Sequence, residues 1–145
     1  MWSSMKLHGG AFGERAGRRP SREELEAENV EAMLDGARTN LDRHIRNMSG
    51  FGMPVIVSIN RFASDTDAEL AALADAARAS GAHDVCLTEV HARGGEGGAP
   101  LAEAVVRAVQ DHVAAGRPFT PLFMPDAPVM DKVEGIAKRL YGAGE

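Results

Sequence analysis

The stretch Asn60-Arg61-Phe62-Ala63-Ser64-Asp65 sets an amide, a guanidinium, an aromatic ring and a carboxylate directly after an apolar run. An amide offers both a donor and an acceptor, so Asn60 suits the edge of a heterocyclic base. Phe62 stands in a polar loop and not in an apolar stripe, which suits stacking on a planar ring. The same residues also suit a plain turn, with Asn60 and Asp65 as turn and cap residues and Phe62 covering a sheet end. A second group follows at Glu89, His91 and the run Gly94-Gly95-Glu96-Gly97-Gly98. Glycines before a helix let an anion or a ring approach the backbone closely. Glu89, His91 and Glu96 are of the right type for general-base work, and equally for solvated surface positions. Neither a glycine loop ending in Gly-Lys-Ser/Thr nor a GxGxxG run occurs anywhere, so no phosphate-gripping loop is written into this chain. His8-Gly9-Gly10 is a third glycine turn.

These groups need elements to position them. Pro54–Ile59 (PVIVSI) is an almost unbroken apolar, β-branched run, the pattern of a strand buried on both faces of a parallel sheet. Thr66 and Glu69 have capping-box spacing, and an Ala-rich helix follows with Leu70, Leu73 and Ala77 on one face, closed by Ser80 and Gly81. The unit then repeats as a strand at Asp84–Val90, the glycine loop, and a helix at Leu101–Val113 with Leu101, Val105, Ala108 and Val109 inward. Two consecutive βα units predict a parallel pair in an α/β fold. Ligands of such sheets bind at the carboxyl ends of the strands, where the Asn60 and Glu89 loops collect. His8–Gly10 joins that rim if Met5–Leu7 ends a strand.

Upstream, Ser21 and Glu24 form a capping box that starts a helix, with Leu25, Val30, Met33 and Leu34 as its stripe and Gly36 as its stop. Asn40 then caps a second helix whose Leu41, His44, Ile45 and Met48 share a face, which makes His44 a core or half-buried histidine. Gly13–Pro20, with Arg15, Arg18 and Arg19, reads as an exposed loop, either a solvated connector or an anion-binding arm. Pro118, Pro121, Pro125 and Pro128 forbid regular structure between them. Asp126 then caps a last helix with Val129, Val133, Ile136 and Leu140 inward and Tyr141 at its end.

With 145 residues the chain suits one compact domain, and 5% aromatics leave the core to Ala, Val, Leu, Ile and Met. A net charge of -5 argues against a general nucleic-acid binder, which needs a basic surface. The single cysteine, Cys86, permits neither an internal disulfide nor a zinc cluster, so a reduced, cytoplasmic setting is expected. No stretch approaches the roughly 18 apolar residues of a membrane helix, and the start lacks a signal-peptide core. Both ends read as cut, as of an internal slice of something longer.

Taken in order, KLHGG (Lys6–Gly10), Glu28-Asn29, NLDRHI (Asn40–Ile45), FGMPVIVSINRFASDT (Phe51–Thr66), LTEV, GGEGG and LAEAVV (Leu101–Val106) resemble formate–tetrahydrofolate ligase over nearly the whole chain. The resemblance implies a partial three-layer parallel sheet with flanking helices, a fragment of a P-loop NTPase-like fold. Residues 1–116 would be part of a nucleotide- and folate-binding domain, and 117–145 a Pro-rich connector opening a following helical region. The family condenses formate, ATP and tetrahydrofolate through a formyl phosphate, with ATP and magnesium held by a P-loop region that this stretch does not include. The positions it implies for folate are Phe62, Ala63, Leu87 and His91. For the nucleotide side it implies Asn60, Asp65, Gly94, Gly95, Glu96 and Gly97. No catalytic or metal-ligating residue is implied here. Ala63 stands where the family usually has Pro, and His91 where it usually has Trp. The expectation is a truncated ligase, inactive alone, binding small molecules and neither nucleic acid nor membrane, as a homo-oligomer or with a complementing subunit. A noncatalytic ligand-binding or subunit-interaction module is the alternative.

Overall fold

Both apolar runs become strands. In a computed structural model describing residues 2–9 and 21–144, β1 (Ile56–Asn60) and β2 (Asp84–Thr88) pair in parallel, Ile56 opposite Asp84 and Asn60 opposite Thr88. Gly10 and the expected arginine loop at Gly13–Pro20 lie outside the described residues. Among the described residues the sheet has these two strands alone. The helix between them, Asp67–Ala79 (α5 in chain order), buries Leu70, Leu73, Ala74 and Ala77 with Ile59 and Val85. The helix after β2, Ala99–Ala114 (α7), buries Ala104 and Ala108, and Cys86 Sγ lies 3.6 Å from the Pro100 carbonyl oxygen. Val85 and Cys86 point to opposite faces because side chains alternate along a strand, so helices flank the pair on both sides.

Three details differ from expectation. β1 is not buried on both faces: Ser58 is exposed, because α7 packs mainly on β2 and covers β1 less. The α7 stripe is turned by one residue, with the small Ala104 and Ala108 against the sheet while Val105, Val106, Val109 and Val113 stay exposed. Alanines permit the closer approach, and that contact wins over the larger valine side chains. β2 ends at Thr88, two residues early, since Glu89 turns the chain into a short helix, Val90–Arg93 (α6).

The amino-terminal part is helical where a strand end was considered. Trp2–His8 forms α1, so Met5–Leu7 does not end a strand and His8 and Gly9 do not join the sheet rim. Its placement depends on close backbone approach: a Cβ on Gly36 would overlap the Met5 carbonyl, and one on Gly9 the Ala32 carbonyl. Gly36 therefore permits a crossing of helices and does not stop one. The helix begun by the Ser21–Glu24 capping box is only Arg22–Glu26 (α2), and Asn29 caps a new one, Val30–Gly36 (α3). That helix runs on through a π turn at Ala37–Leu41 into Asp42–Ser49 (α4), so Asn40 caps nothing. At the turn Thr39 Oγ1 bonds the Asp35 carbonyl at 2.9 Å, a side-chain competitor of the kind that loosens helical bonding. The face of α4 is selected by Ile45, which is buried, and His44 is exposed.

One interaction ties these helices to the sheet layer. Lys6 and Glu69 are almost wholly buried, with Nζ 2.5 Å from Oε1. Lys6 Nζ also donates to the Leu25 and Ala27 carbonyls, at 3.2 and 2.7 Å, and the Asn29 N–H donates to Glu69 Oε1 at 2.7 Å. The expected second capping box is thus only half made: Thr66 Oγ1 accepts from the Glu69 N–H, while the Glu69 carboxylate turns inward to the lysine.

The carboxyl-terminal segment is irregular from 117 to 128, as its prolines require, and is followed by Val129–Gly135 (α8) and a π turn at Ile136–Leu140. Pro128, not Asp126, stands at the helix start. Stacking of Phe51 on Phe119, at 5.8 Å between centroids, and the Asn47 bond to the Leu140 carbonyl attach this segment to α4. Val129, Val133 and Ile136, expected inward, are exposed because no described element covers them.

Removing one member of a buried charge pair strands the other. Lys6→Met is expected to lower stability by about 3–5 kcal/mol in urea unfolding. Lys6→Met combined with Glu69→Gln keeps the acceptor for Asn29 without either charge, and should recover part of that loss. Equal stability of wild type and Lys6→Met would refute the role given to the pair. Gly36→Ala should release α1 selectively, seen as faster amide exchange there than in α5.

Candidate functional site

At the carboxyl ends of the strands the two loops are locked side by side. The Arg61 N–H donates to the Thr88 carbonyl at 2.9 Å, extending the ladder one residue beyond β1. Asp65 then closes a tight turn: its Oδ2 accepts from the Phe62 N–H at 2.8 Å, and its own N–H returns to the Phe62 carbonyl at 3.0 Å. That turn orients Phe62. Arg61 is drawn aside to Asp67, at 2.8 Å on the surface.

Across from Phe62 stands His91, on the four-residue α6, with ring centroids 6.2 Å apart and planes inclined by 41°. Phe62 is half-buried, and His91 and Ala63 are exposed. The glycine run is a 3-10 turn, Gly94–Gly98, leading into α7. Gly97 is its fixed point: its carbonyl accepts the Glu89 N–H at 3.1 Å, and a Cβ there would lie 2.5 Å from the Glu89 carbonyl. Gly94 takes a φ of 59°, in the left-handed region, and ends α6. Gly94, Gly95 and Glu96 are exposed.

The residues considered from sequence are therefore divided. Phe62 and His91 face each other, Asp65 is bonded to Phe62, and Gly97 is bonded to Glu89. Leu87 is set apart in an open cleft of about 680 Å³ between α5 and α7, which also includes Leu70, Pro100 and Arg107. Asn60 and Asp65 line a different cavity of about 80 Å³, together with Glu69, Met5, Met33 and Leu73. Three of its four polar members carry a buried oxygen without a hydrogen-bond partner, Asn60 Oδ1, Asp65 Oδ1 and Glu69 Oε2, while the fourth, Ser58, is bonded to Thr88 Oγ1. Glu69 and Lys6 were absent from the sequence candidates. The available signals were a glutamate that doubles as a capping residue and one of few lysines, neither distinctive alone.

Burial raises the Asp65 carboxyl above its ordinary 3.8; the Phe62 N–H opposes that rise, Glu69 adds to it and Lys6 offsets it. Burial likewise pushes the Cys86 thiol up, which leaves it a packing group and a poor nucleophile. No three His, Cys, Asp or Glu side chains converge to hold a metal ion among the described residues. Among those residues, too, no helix is long and apolar enough to cross a membrane.

A carboxyl whose folded value is raised binds its proton more tightly folded than unfolded. Its contribution to stability is complete below pH 3.8 and is lost as pH rises through the raised value. Asp65→Asn keeps an acceptor for Phe62 but cannot ionise. Its stability relative to wild type should therefore climb across that window and level off above it. Parallel pH profiles of the two proteins in thermal unfolding would contradict this.

Comparison with known proteins gives one consistent result. The model of the family described as formate–tetrahydrofolate ligase matches residues 2–145. Among curated proteins of that name, the one from Paracoccus denitrificans (strain Pd 1222) is 43% identical over 142 residues, covering 98% of this chain and 23% of the relative. Those from Ruegeria sp. (strain TM1040) and Granulibacter bethesdensis are 41% and 40% identical, again over 98% of this chain, and over 23% and 22% of their own lengths. The chain thus spans about a quarter of the curated relatives it matches.

Proposed function

The chain belongs to the formate–tetrahydrofolate ligase family, and on that premise we propose that it supplies the folate-side wall of a pocket in which ATP, formate and tetrahydrofolate are condensed. The observation that carries this reading is the pair Phe62 and His91, facing each other at the carboxyl end of a parallel sheet. A flat heterocycle held between two rings needs about 7 Å, twice a carbon–carbon contact of about 3.5 Å. The rings stand at 6.2 Å and are tilted. His91 is exposed on a single helical turn that ends at the left-handed Gly94, so a small outward swing opens the slot. Phe62 cannot swing in the same way, because its backbone is held at both ends of the Asp65 turn.

We assign the pterin-type ring to this slot, with Ala63 and the Gly94–Gly97 turn at its margins and Leu87 on an adjacent cleft. Asp65 shapes the turn behind the slot, and Asn60 ends β1 before it. The described residues do not fit the triphosphate of ATP or its magnesium. The glycine turn continues into Ala99-Pro100, with no Lys-Ser/Thr to grip phosphate, and no acidic cluster converges on a cation. No phosphoryl step is therefore derived from this chain, and phosphoryl chemistry in our reading belongs to the remaining length of a ligase. On the same reading the sheet is a piece of a P-loop NTPase-like fold, with residues 117–145 leading out of its nucleotide- and folate-binding part, and the protein works in the cytoplasm.

Tetrahydrofolate titrations followed by fluorescence test the slot. Phe62→Ala should weaken binding by roughly 1–3 kcal/mol and His91→Trp should tighten it, since base-on-aromatic stacking is of that order. Identical affinity in Phe62→Ala and wild type would sink the assignment. The purified chain given ATP, formate and tetrahydrofolate should make no formyl product above background.

A further inference from the structure

The outer edge of β1 and the three buried oxygens beside it have no counterpart among the described residues, and both ask for the same thing. The Arg61 N–H to Thr88 bond and the His83 N–H to Val55 carbonyl bond place the odd-numbered residues of β1 on the β2 side. Because backbone groups alternate along a strand, those of Ile56, Ser58 and Asn60 face the other edge. That edge is unpaired among the described residues, and Ser58 is exposed. An open row of N–H and C=O groups is a template for another strand. Alongside it lies the cavity of about 80 Å³ formed by β1, α3 and α5, with Asn60, Asp65 and Glu69 among its lining. Their unpartnered oxygens are all acceptors, so what is missing is a donor. The remaining walls are apolar except at Ser58, whose hydroxyl is already bonded to Thr88 Oγ1 at 3.2 Å.

We propose that this edge is a docking site for a β-strand from the part of a ligase polypeptide that this chain does not match, and that a donor-bearing side chain of that strand reaches Asn60, Asp65 and Glu69. The occupant follows from three facts together. A two-stranded sheet is marginal by itself and gains stability from a third strand. The unmatched portion of the relatives is some three times the length of the matched one, since the match covers 23% of them. The three orphaned acceptors in the cavity select a side chain such as lysine or arginine over a carboxylate or an apolar tip. The proposal rests on the family reading but not on the folate slot, which lies on the loops beyond the strand.

The test supplies the unmatched portion of a relative directly. The Paracoccus denitrificans relative, with its matching 142 residues removed, is co-expressed with this chain, and the complex is followed by co-purification and amide exchange. Capture is expected, with exchange at Ile56, Ser58 and Asn60 slowed at least tenfold while Val57 and Ile59, already bonded to β2, change little. Ser58→Pro removes one edge N–H and should abolish capture; Asn60→Leu, which keeps the backbone intact, should weaken it at least tenfold. Circular dichroism of each free variant establishes that it is folded. Failure of the folded wild-type chain to retain the remainder would overturn the proposal, as would protection of odd and even residues alike. So would equal capture by wild type and both folded variants, or a self-dimer protecting the same three amides. Capture without formyl product would leave the docking site standing and count against the catalytic reading instead.

Discussion

A lysine and a glutamate taken out of water together decide where most of the other parts can sit. Lys6 comes from α1 and Glu69 from the first turn of α5, and the pair gathers the Leu25 and Ala27 carbonyls and the Asn29 N–H around itself. The Ala27 carbonyl and the Asn29 N–H belong to the break between α2 and α3, and the Leu25 carbonyl to the last turn before it, where helical bonding lapses. The ion pair thus satisfies an interrupted helix, anchors α1, and fixes the start of α5 at once. Burying two charges is tolerable only with such added hydrogen bonds, because desolvation otherwise outweighs their attraction. The glycines at 9 and 36 serve the same arrangement by letting α1 come close enough for the lysine to arrive.

From that anchor the site follows by short steps. Glu69 is one helical turn beyond Asp65, and Asp65 is the residue that folds the loop back on Phe62. A fixed α5 start therefore fixes the turn, and the turn fixes the ring. On the other loop the chain is held by Gly97 against Glu89, which presents His91 from a four-residue helix. In the proposed slot, one wall is tied by backbone hydrogen bonds and the other stands on a single exposed turn. This suits a wall that must admit a flat ligand and then close on it.

The sheet and its two following helices were legible because their signals are local: a β-branched run, a Thr cap, an alanine-rich face, a glycine turn. Asn60, Phe62, Asp65 and the Gly94–Gly98 run could be singled out for the same reason, since a polar loop after a buried strand is conspicuous. The amino-terminal helices were misread where a distant partner decides the outcome. Gly36 has the look of a helix stop, yet its small size serves α1, which passes across it. Glu69 fits a capping box by spacing, yet a lysine far away in sequence captures its side chain. His44 lies on an apolar face by count, but the π turn at Ala37–Leu41 resets the angle at which α4 meets the core. On α7 the spacing allows either the alanines or the valines to face inward, and only the proximity of β2 chooses.

The outcome of that choice reaches beyond the fold. With Val105, Val106, Val109 and Val113 outward on α7, and Val129, Met130 and Val133 outward on α8, the free molecule keeps substantial apolar surface in water. Surface of this kind is what cellular holdases bind and what quality-control proteases use to sort unassembled chains. A folded copy that keeps such surface in water is therefore open to the same recognition as an unfolded one.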